Sequence, residues 1–593
     1  MTEFGAHLEA FLAESFRLDP LRATATGMHE HDAEWPDLGE AGRPERLSFI
    51  DRWEAIFGAH DSASLGTDDR IDRDLLLMEL AAARFAETDL RDETWDPLAW
   101  IYLLGSGLFP LLAREFAPLA SRLASVTGRL DGMPAVLEAA TAVLGSGPRP
   151  VARFHAEAAL RQLAGVSELI DDAVAQAAAA AGDPEVARVR PRLGAAAGVA
   201  RRALEGFERH LREVVLPASA GEGRLGPELF EAKLKHTLKT GMRPTAVVDR
   251  AEREFAAVRA EMVRLAGELW PAWCPGRPRP DATSEGTAEA AEGALVRGVL
   301  DAIGQIHPRA EDLLDFCRAE LARIGQFVAE RGVIGQVDEP LEIRWTPVFL
   351  RAFGGAMLDA PGPLDKGQKS FFSITPIPEG WPPERAESYL REDNDRMLRL
   401  LTIHEAVPGH YLQGVYANRC PSIVRQIFWS GVFAEGWAVY VTQVMMDLGY
   451  GADDPALMLV HWKFYLRAVT NAIIDVRIHT QGMTEEEAVR LMVEGGFQEE
   501  AEARNKYDRA RLTSTQLATY FVGSVEMWDL ELEARRRAAA SVGDPRGADA
   551  VPPVRVVGGH GPTPGFDYRA HLERVISHGA PPTPLLRRLL FEA

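Results

Sequence analysis

Residues 398–413 run LRLLTIHEAVPGHYLQ: an apolar lead-in, then His404 and His410 enclosing Glu405 and the pair Pro408-Gly409. Two imidazoles leave one face of a helix and can share a zinc ion when they stand four residues apart, with the glutamate after the first aimed at the metal's water. Here His410 follows His404 by six residues. At about 100 degrees per residue, a four-residue step returns a side chain to within about 40 degrees, and a six-residue step leaves it about 120 degrees away. An unbroken helix would point the two rings apart. Proline removes a backbone donor and clashes with the preceding turn, and glycine accepts unusual dihedrals, so Pro408-Gly409 predicts a bulge or break that returns His410 to the metal.

A third ligand is expected from a second helix more than a dozen residues downstream, as in zincins of the glutamate type. Glu435 fits that place. It lies in the largely apolar run IFWSGVFAEGWAVY, residues 427–440, where an unpaired carboxylate costs several kcal/mol unless it is neutralised or bound to a cation. The expected set is therefore zinc on His404, His410 and Glu435, with Glu405 as general base.

The block HEAVPGHYLQ (404–413), taken with EGWAVY (435–440), resembles the bacterial domain-of-unknown-function 885 family, which is grouped with zincin-like metallopeptidases. Similar flanks are the opening segment DPLRATATGMH (19–29) with Asp32, Pro36 and Asp37, then Arg467-Ala468-Val469, Asp475 to His479, and Gln516 with Tyr520 and Gly523. The resemblance runs to about residue 540 and implies a large, mainly α, zincin-like fold. Tyr411 stands where many relatives have another histidine, which assigns the ligand role to His410. Ala510 replaces a common tyrosine, and Ser514-Thr515-Gln516 replaces a Pro-Gly-Gln turn.

Three further residues are candidates for completing the chemistry. Asp475 and His479 share a helix face, so the carboxylate could orient the imidazole. Either His479 or the phenol of Tyr520 could then stabilise an oxyanion. Arg509 could hold a substrate carboxylate through paired hydrogen bonds.

The remaining sequence bounds the setting. The 593 residues are 46% hydrophobic, enough for one or two large helical domains. A formal charge of −22 repels nucleic acid and anionic membranes, and neither is an expected partner. Cys274, Cys317 and Cys420 are too few and too scattered for a disulfide scaffold, and the first residues show no export signal, so a cytoplasmic protein is expected. Apolar spacing predicts helices over 5–18, 71–87, 114–127, 150–182, 186–215 and 245–267. The Ala-rich run 173–181 reads as a close-packed helix.

The polar loop from Pro275 to Gly286 marks a soft boundary between a helical region (1–270) and a catalytic region (290–540), followed by a loop-rich tail (541–593). Short β-prone runs at Leu341–Trp345 and Ser370–Thr375 predict a small sheet before the zinc helix, with Phe371–Thr375 as the free edge that would pair with substrate. In the tail, Pro552, Pro553, Gly558, Gly559, Gly561, Pro562, Pro564 and Gly565 precede a short helix, and His560, His571 and His578 read as solvated. The expected activity is hydrolysis of short peptides by an oligopeptidase or exopeptidase. A non-peptide amide or ester hydrolase, or a degenerate helical binding protein, are the alternatives.

Overall fold

The computed structural model describes residues 2–347, 351, 355–378, 380–543 and 563–592. The chain forms two compact units. One comprises Met1–Arg224 with Pro347–Phe353 and Pro361–Lys369; the other comprises Leu225–Thr346, Gly354–Ala360 and Ser370–Ala593. The division falls at Arg224 and Leu225, so the Pro275–Gly286 loop lies inside the second unit.

The first unit is built of helices, including Glu3–Leu18, Thr67–Phe85, Pro97–Ala113, Leu119–Val143, Arg153–Ala179 and Pro184–His210. The helix expected over 114–127 begins instead at Leu119, because Pro118 takes an extended conformation (φ −51°, ψ 141°) at its start. Ala173 and Ala177 are fully buried, as close packing of an alanine-rich helix requires. His29 and Asp32, from the opening segment, serve this unit's internal bonding. His29 is bridged to Asp32 (2.9 Å) and Asp365 (3.0 Å), and these partners outweigh burial to raise it to about 9.

The second unit carries the sequence motif. Its principal helices are α1 (Pro244–Trp273), α2 (Asp395–Glu405), α3 (His410–Asn418), α4 (Gly431–Asp447), α5 (Pro455–Gln481), α6 (Glu500–Thr513) and α7 (Ala518–Ser541). Helix α2 starts at Asn394, whose side chain accepts from the N–H groups of Arg396 and Met397, and α4 starts at Ser430, which accepts from Phe433 N–H. Helix α5 ends at Gly482 in the left-handed region (φ 72°). Helix α4 packs on α2, α3 and α7, and α5 packs on α1, α2, α6 and α7. Leu398, Leu400 and Ile403 of α2 and Phe433, Trp437 and Val441 of α4 are fully buried. This apolar frame holds the motif rigid.

A three-stranded sheet joins α2: β1 (Leu341–Trp345), β2 (Ala356–Asp359) and β3 (Ser370–Ile374), in the order β1-β3-β2. Strand β3 is parallel to β1 and antiparallel to β2, so Phe371 and its neighbours form the central strand rather than the expected free edge. Strand β2 was not apparent in the sequence, because Ala356-Met357-Leu358-Asp359 is short and lacks β-branched residues.

Beyond α7, helices Tyr568–Ile576 and Thr583–Phe591 bury Leu572, Ile576, Leu586 and Leu589. The described end of the chain is therefore part of the core. His571 is buried there and pushed down to about 3 by burial, contrary to its expected solvation. His560 and the proline and glycine residues from Pro552 to Pro562 lie outside the described residues. No single helix among the described residues is long and apolar enough to cross a membrane.

Candidate metal centre

Helix α2 ends at Glu405 and α3 begins at His410. The break expected at Pro408-Gly409 is present, with a cis Val407–Pro408 peptide and Ala406 turned to φ −109°, ψ −94°. The connection folds tightly over the end of α2. Gly409 N–H donates to Ile403 O (3.1 Å), and Trp437 Nε1 donates to Pro408 O (2.9 Å). A Cβ on Gly409 would stand 1.9 Å from His404 O and 2.3 Å from Ile403 O. Only glycine fits there.

This turn brings the two histidines together. Their rings meet edge to face with centroids 4.8 Å apart, and their Nε2 atoms lie 3.8 Å (His404) and 3.5 Å (His410) from Glu435 Oε2 on α4. Ligand atoms of His404, His410 and Glu435 all fall within 4.8 Å of one another. Tetrahedral zinc with bonds of about 2.0–2.2 Å holds its ligand atoms roughly 3.3–3.6 Å apart, so the two nitrogen–oxygen spacings are close to that value, while atoms up to 4.8 Å apart would close in on the ion. Glu435 Oε2 is buried, and its nearest donors among the described residues are the two imidazoles, at the long distances of 3.5 and 3.8 Å. These residues fit a divalent metal ion.

Two of the three groups already favour their ligating forms, and a metal ion would displace the proton that the third, His410, shares with Glu435. Burial, then the neighbouring His410, push His404 down to about 3, so it presents a neutral imidazole. Burial also disfavours a charged His410 and a charged Glu435, but their mutual attraction outweighs it, raising His410 and lowering Glu435. Glu405, at the last position of α2, is 7% exposed. Burial and the charge of Glu435 raise it to about 7, against a hydrogen bond from the Leu358 backbone on β2. A bound dication would favour its carboxylate form.

The remaining candidates separate into two places. Tyr520 lies within electrostatic reach of Glu435, as does Arg509. Arg509 Nη2 donates to Tyr520 OH (3.2 Å) and to Gln516 Oε1 (3.0 Å), and Gln516 Nε2 donates to Tyr520 OH (3.3 Å). His479 is engaged elsewhere. Its Nε2 donates to Ala510 O (3.0 Å), its Nδ1 accepts from Leu225 N–H (3.1 Å), and Phe230 stacks on the ring. Asp475 accepts from the N–H groups of Thr515 and Ala518, both at 2.9 Å. The Asp475 and His479 side chains therefore brace the α6–α7 turn.

A buried ionic cluster beside this group was not foreseen in the sequence. Lys463 Nζ lies 2.6 Å from Glu392, Arg467 lies 3.6 Å from Glu392 and 3.4 Å from Glu502, and Lys506 lies 3.2 Å from Glu502. Arg467 also acts electrostatically on His404. Single charged residues scattered over 392–506 carry no local signature that they will meet. A second unforeseen feature is the contact of Gly436 with Gly523, where a Cβ on Gly436 would stand 2.2 Å from Gly523 C. It lets α7 approach α4 one residue from Glu435.

The family model described as "Bacterial protein of unknown function (DUF885)" matches residues 20–590. A solved structure of a "putative lipoprotein of unknown function" from Shewanella oneidensis is 30% identical, with a TM-score of 0.79 over 100% of both chains. A second, a "putative lipoprotein" from Colwellia psychrerythraea, is 16% identical, with a TM-score of 0.74 over 100% of this chain and 99% of that one. Its likeness bears on the fold alone. No curated protein matches the chain.

Proposed function

Because the chain belongs to the bacterial DUF885 family and brings two histidines and a glutamate to one point, we propose that it is a zinc-dependent metallopeptidase of short peptides with a zincin-like fold. The observation that carries this reading is the convergence of His404, His410 and Glu435 beside Glu405. Two imidazoles and one carboxylate make a borderline donor set suited to zinc, and three protein ligands leave a coordination position open. When bound, the zinc supplies Lewis-acid polarisation of a carbonyl and a lowered pKa for water.

The chain's own residues supply the rest. Glu405 takes the proton of the attacking water and passes it to the leaving amine. Tyr520 accepts hydrogen bonds from Arg509 and Gln516, which leaves its own hydroxyl proton free to be donated to the substrate carbonyl oxygen as charge grows there. The substrate main chain pairs with the outer edge of β2. In an antiparallel strand the N–H and C=O of one residue point the same way, so the hydrogen bond from Leu358 towards Glu405 turns both Leu358 and Ala356 away from β3. This replaces β3 as the docking edge.

Three buried cysteines suit a reducing cytoplasm, whereas the lipoprotein description of the Shewanella oneidensis structure suits the cell envelope. Fractionation of the source cells decides between them.

Digestion of a peptide library, read by mass spectrometry with and without chelator, tests the activity. About one zinc per chain and chelator-sensitive cleavage are expected. Glu405→Gln should keep its metal and lose at least ~100-fold in turnover. Full activity in that variant removes the proposed base. A well-folded protein holding far less than one metal per chain refutes the enzyme reading, and cleavage of other amides or esters but no peptide assigns it to a different hydrolase class.

A further inference from the structure

On the reading that this site cleaves peptides, we infer that Arg509 captures the free α-carboxylate of the substrate, so that residues are removed from the C-terminal end of short peptides. Its two side-chain bonds, to Gln516 and Tyr520, both use Nη2 and both end on neutral oxygen atoms. The two carboxylate forks of a guanidinium pair Nε–H or Nη1–H with Nη2–H, so Nε and Nη1 each keep a donor for a carboxylate oxygen, and a paired grip forms when one of the neutral partners on Nη2 gives way.

The surroundings ask for an anion. Lys463, Arg467 and Lys506 already share the carboxylates of Glu392 and Glu502, before Arg509 is counted. Asp393, raised by burial only to about 6, is still largely ionised at pH 7, so three carboxylates face these three cations and Arg509 is the fourth cation. Arg509 is close enough to act on Lys506, which burial and Arg467, with a weaker push from Arg509, bring down to about 8 against the pull of Glu502. Arg509 is half-buried, bonded to Tyr520 and within electrostatic reach of Glu435, so a ligand at the metal centre can reach it.

A C-terminal carboxylate supplies the missing charge. An internal peptide segment offers only neutral amides there, and an N-terminal ammonium is repelled. Tyr520 links the two tasks, with its oxygen held by Arg509 and its proton directed to the carbonyl.

Calorimetric binding to the zinc-loaded Glu405→Gln protein tests this without turnover, using one pentapeptide as the free acid and as the C-terminal amide. The acid should bind about ten-fold or more tightly than the amide, the usual scale of one charge-assisted pair. Arg509→Ala should bind both at the amide's affinity, and Arg509→Lys should restore part of the difference. Zinc content and melting temperature report whether each variant is folded. Equal binding of acid and amide, or undiminished preference in Arg509→Ala, overturns this inference and leaves the peptidase reading standing. Failure of every peptide to bind or be cleaved by the wild-type protein overturns both.

Discussion

Gly409 shows how tightly a single residue controls the metal centre. Its missing Cβ lets the chain cross 3.1 Å above Ile403 O, and this crossing turns His410 towards His404. Gly409→Ala forces that carbonyl and the methyl group apart, so metal affinity should fall at least about ten-fold, the scale seen when ligand-orienting groups are lost. Chelator competition checks this, and an unchanged zinc dissociation constant would show that the turn tolerates a side chain. The four central residues were legible from the sequence, since His404, Glu405, His410 and Glu435 belong to a pattern whose chemistry is local. His479 was misread for the opposite reason. A histidine four residues after an aspartate looks the same whether it faces a metal or the backbone, and its partner Leu225 is 254 residues away.

Elements are set by contacts that short patterns do not report. The crossing of α4 and α7 rests on Gly436 and Gly523, and a Cβ on Gly523 would stand 2.1 Å from Val432 O. Gly523→Ala should therefore push the helices apart, cost about 1–3 kcal/mol in stability and weaken metal binding by displacing Glu435. Melting and zinc titration together test this: loss of stability with unchanged metal affinity would mean that Glu435 is positioned independently of α7. The turn from α6 to α7 carries Thr515 at φ 71°, a conformation that a β-branched residue seldom takes. Asp475 holds it through two backbone N–H groups, so Asp475→Ala should cost about 2–4 kcal/mol by leaving both buried donors unpaired. Denaturant unfolding measures it, and a loss under 1 kcal/mol would show that water replaces the carboxylate. Helix positions were legible because three-and-four spacing repeats over many residues. Strand β2 was not, because a four-residue strand is defined by its partner β3 rather than by its own composition.

At the scale of the whole molecule, stability depends on buried groups whose pKa values folding moves. Glu254 in α1 is 3% exposed, its Oε2 accepts no hydrogen bond among the described residues, and burial raises it to about 7. In the unfolded chain it ionises near its ordinary value of 4.5. The folded state thus holds the proton more strongly, and the associated stability is full below about pH 4.5 and is lost as pH rises through 7. His461 and His571 act in the opposite sense: burial lowers both to about 3, so their contribution is present above 6.5 and is lost as pH falls towards 3. Glu254→Gln removes the first effect alone, and should gain about 1–2 kcal/mol relative to wild type at pH 8 compared with pH 5. Urea midpoints at the two pH values measure this, and an equal difference at both would refute the assignment. The sequence by itself determined a mainly helical chain, a break between two histidines and a distant glutamate, because periodicity, turn chemistry and donor type act over a few residues. Only the tertiary structure decided that Glu435 reaches both histidines, that β2 and not β3 is the edge beside Glu405, and that Arg509 joins Tyr520 while His479 does not. Those outcomes depend on which side chains meet across long stretches of chain, where burial and exclusion of water, rather than local sequence, select the partners.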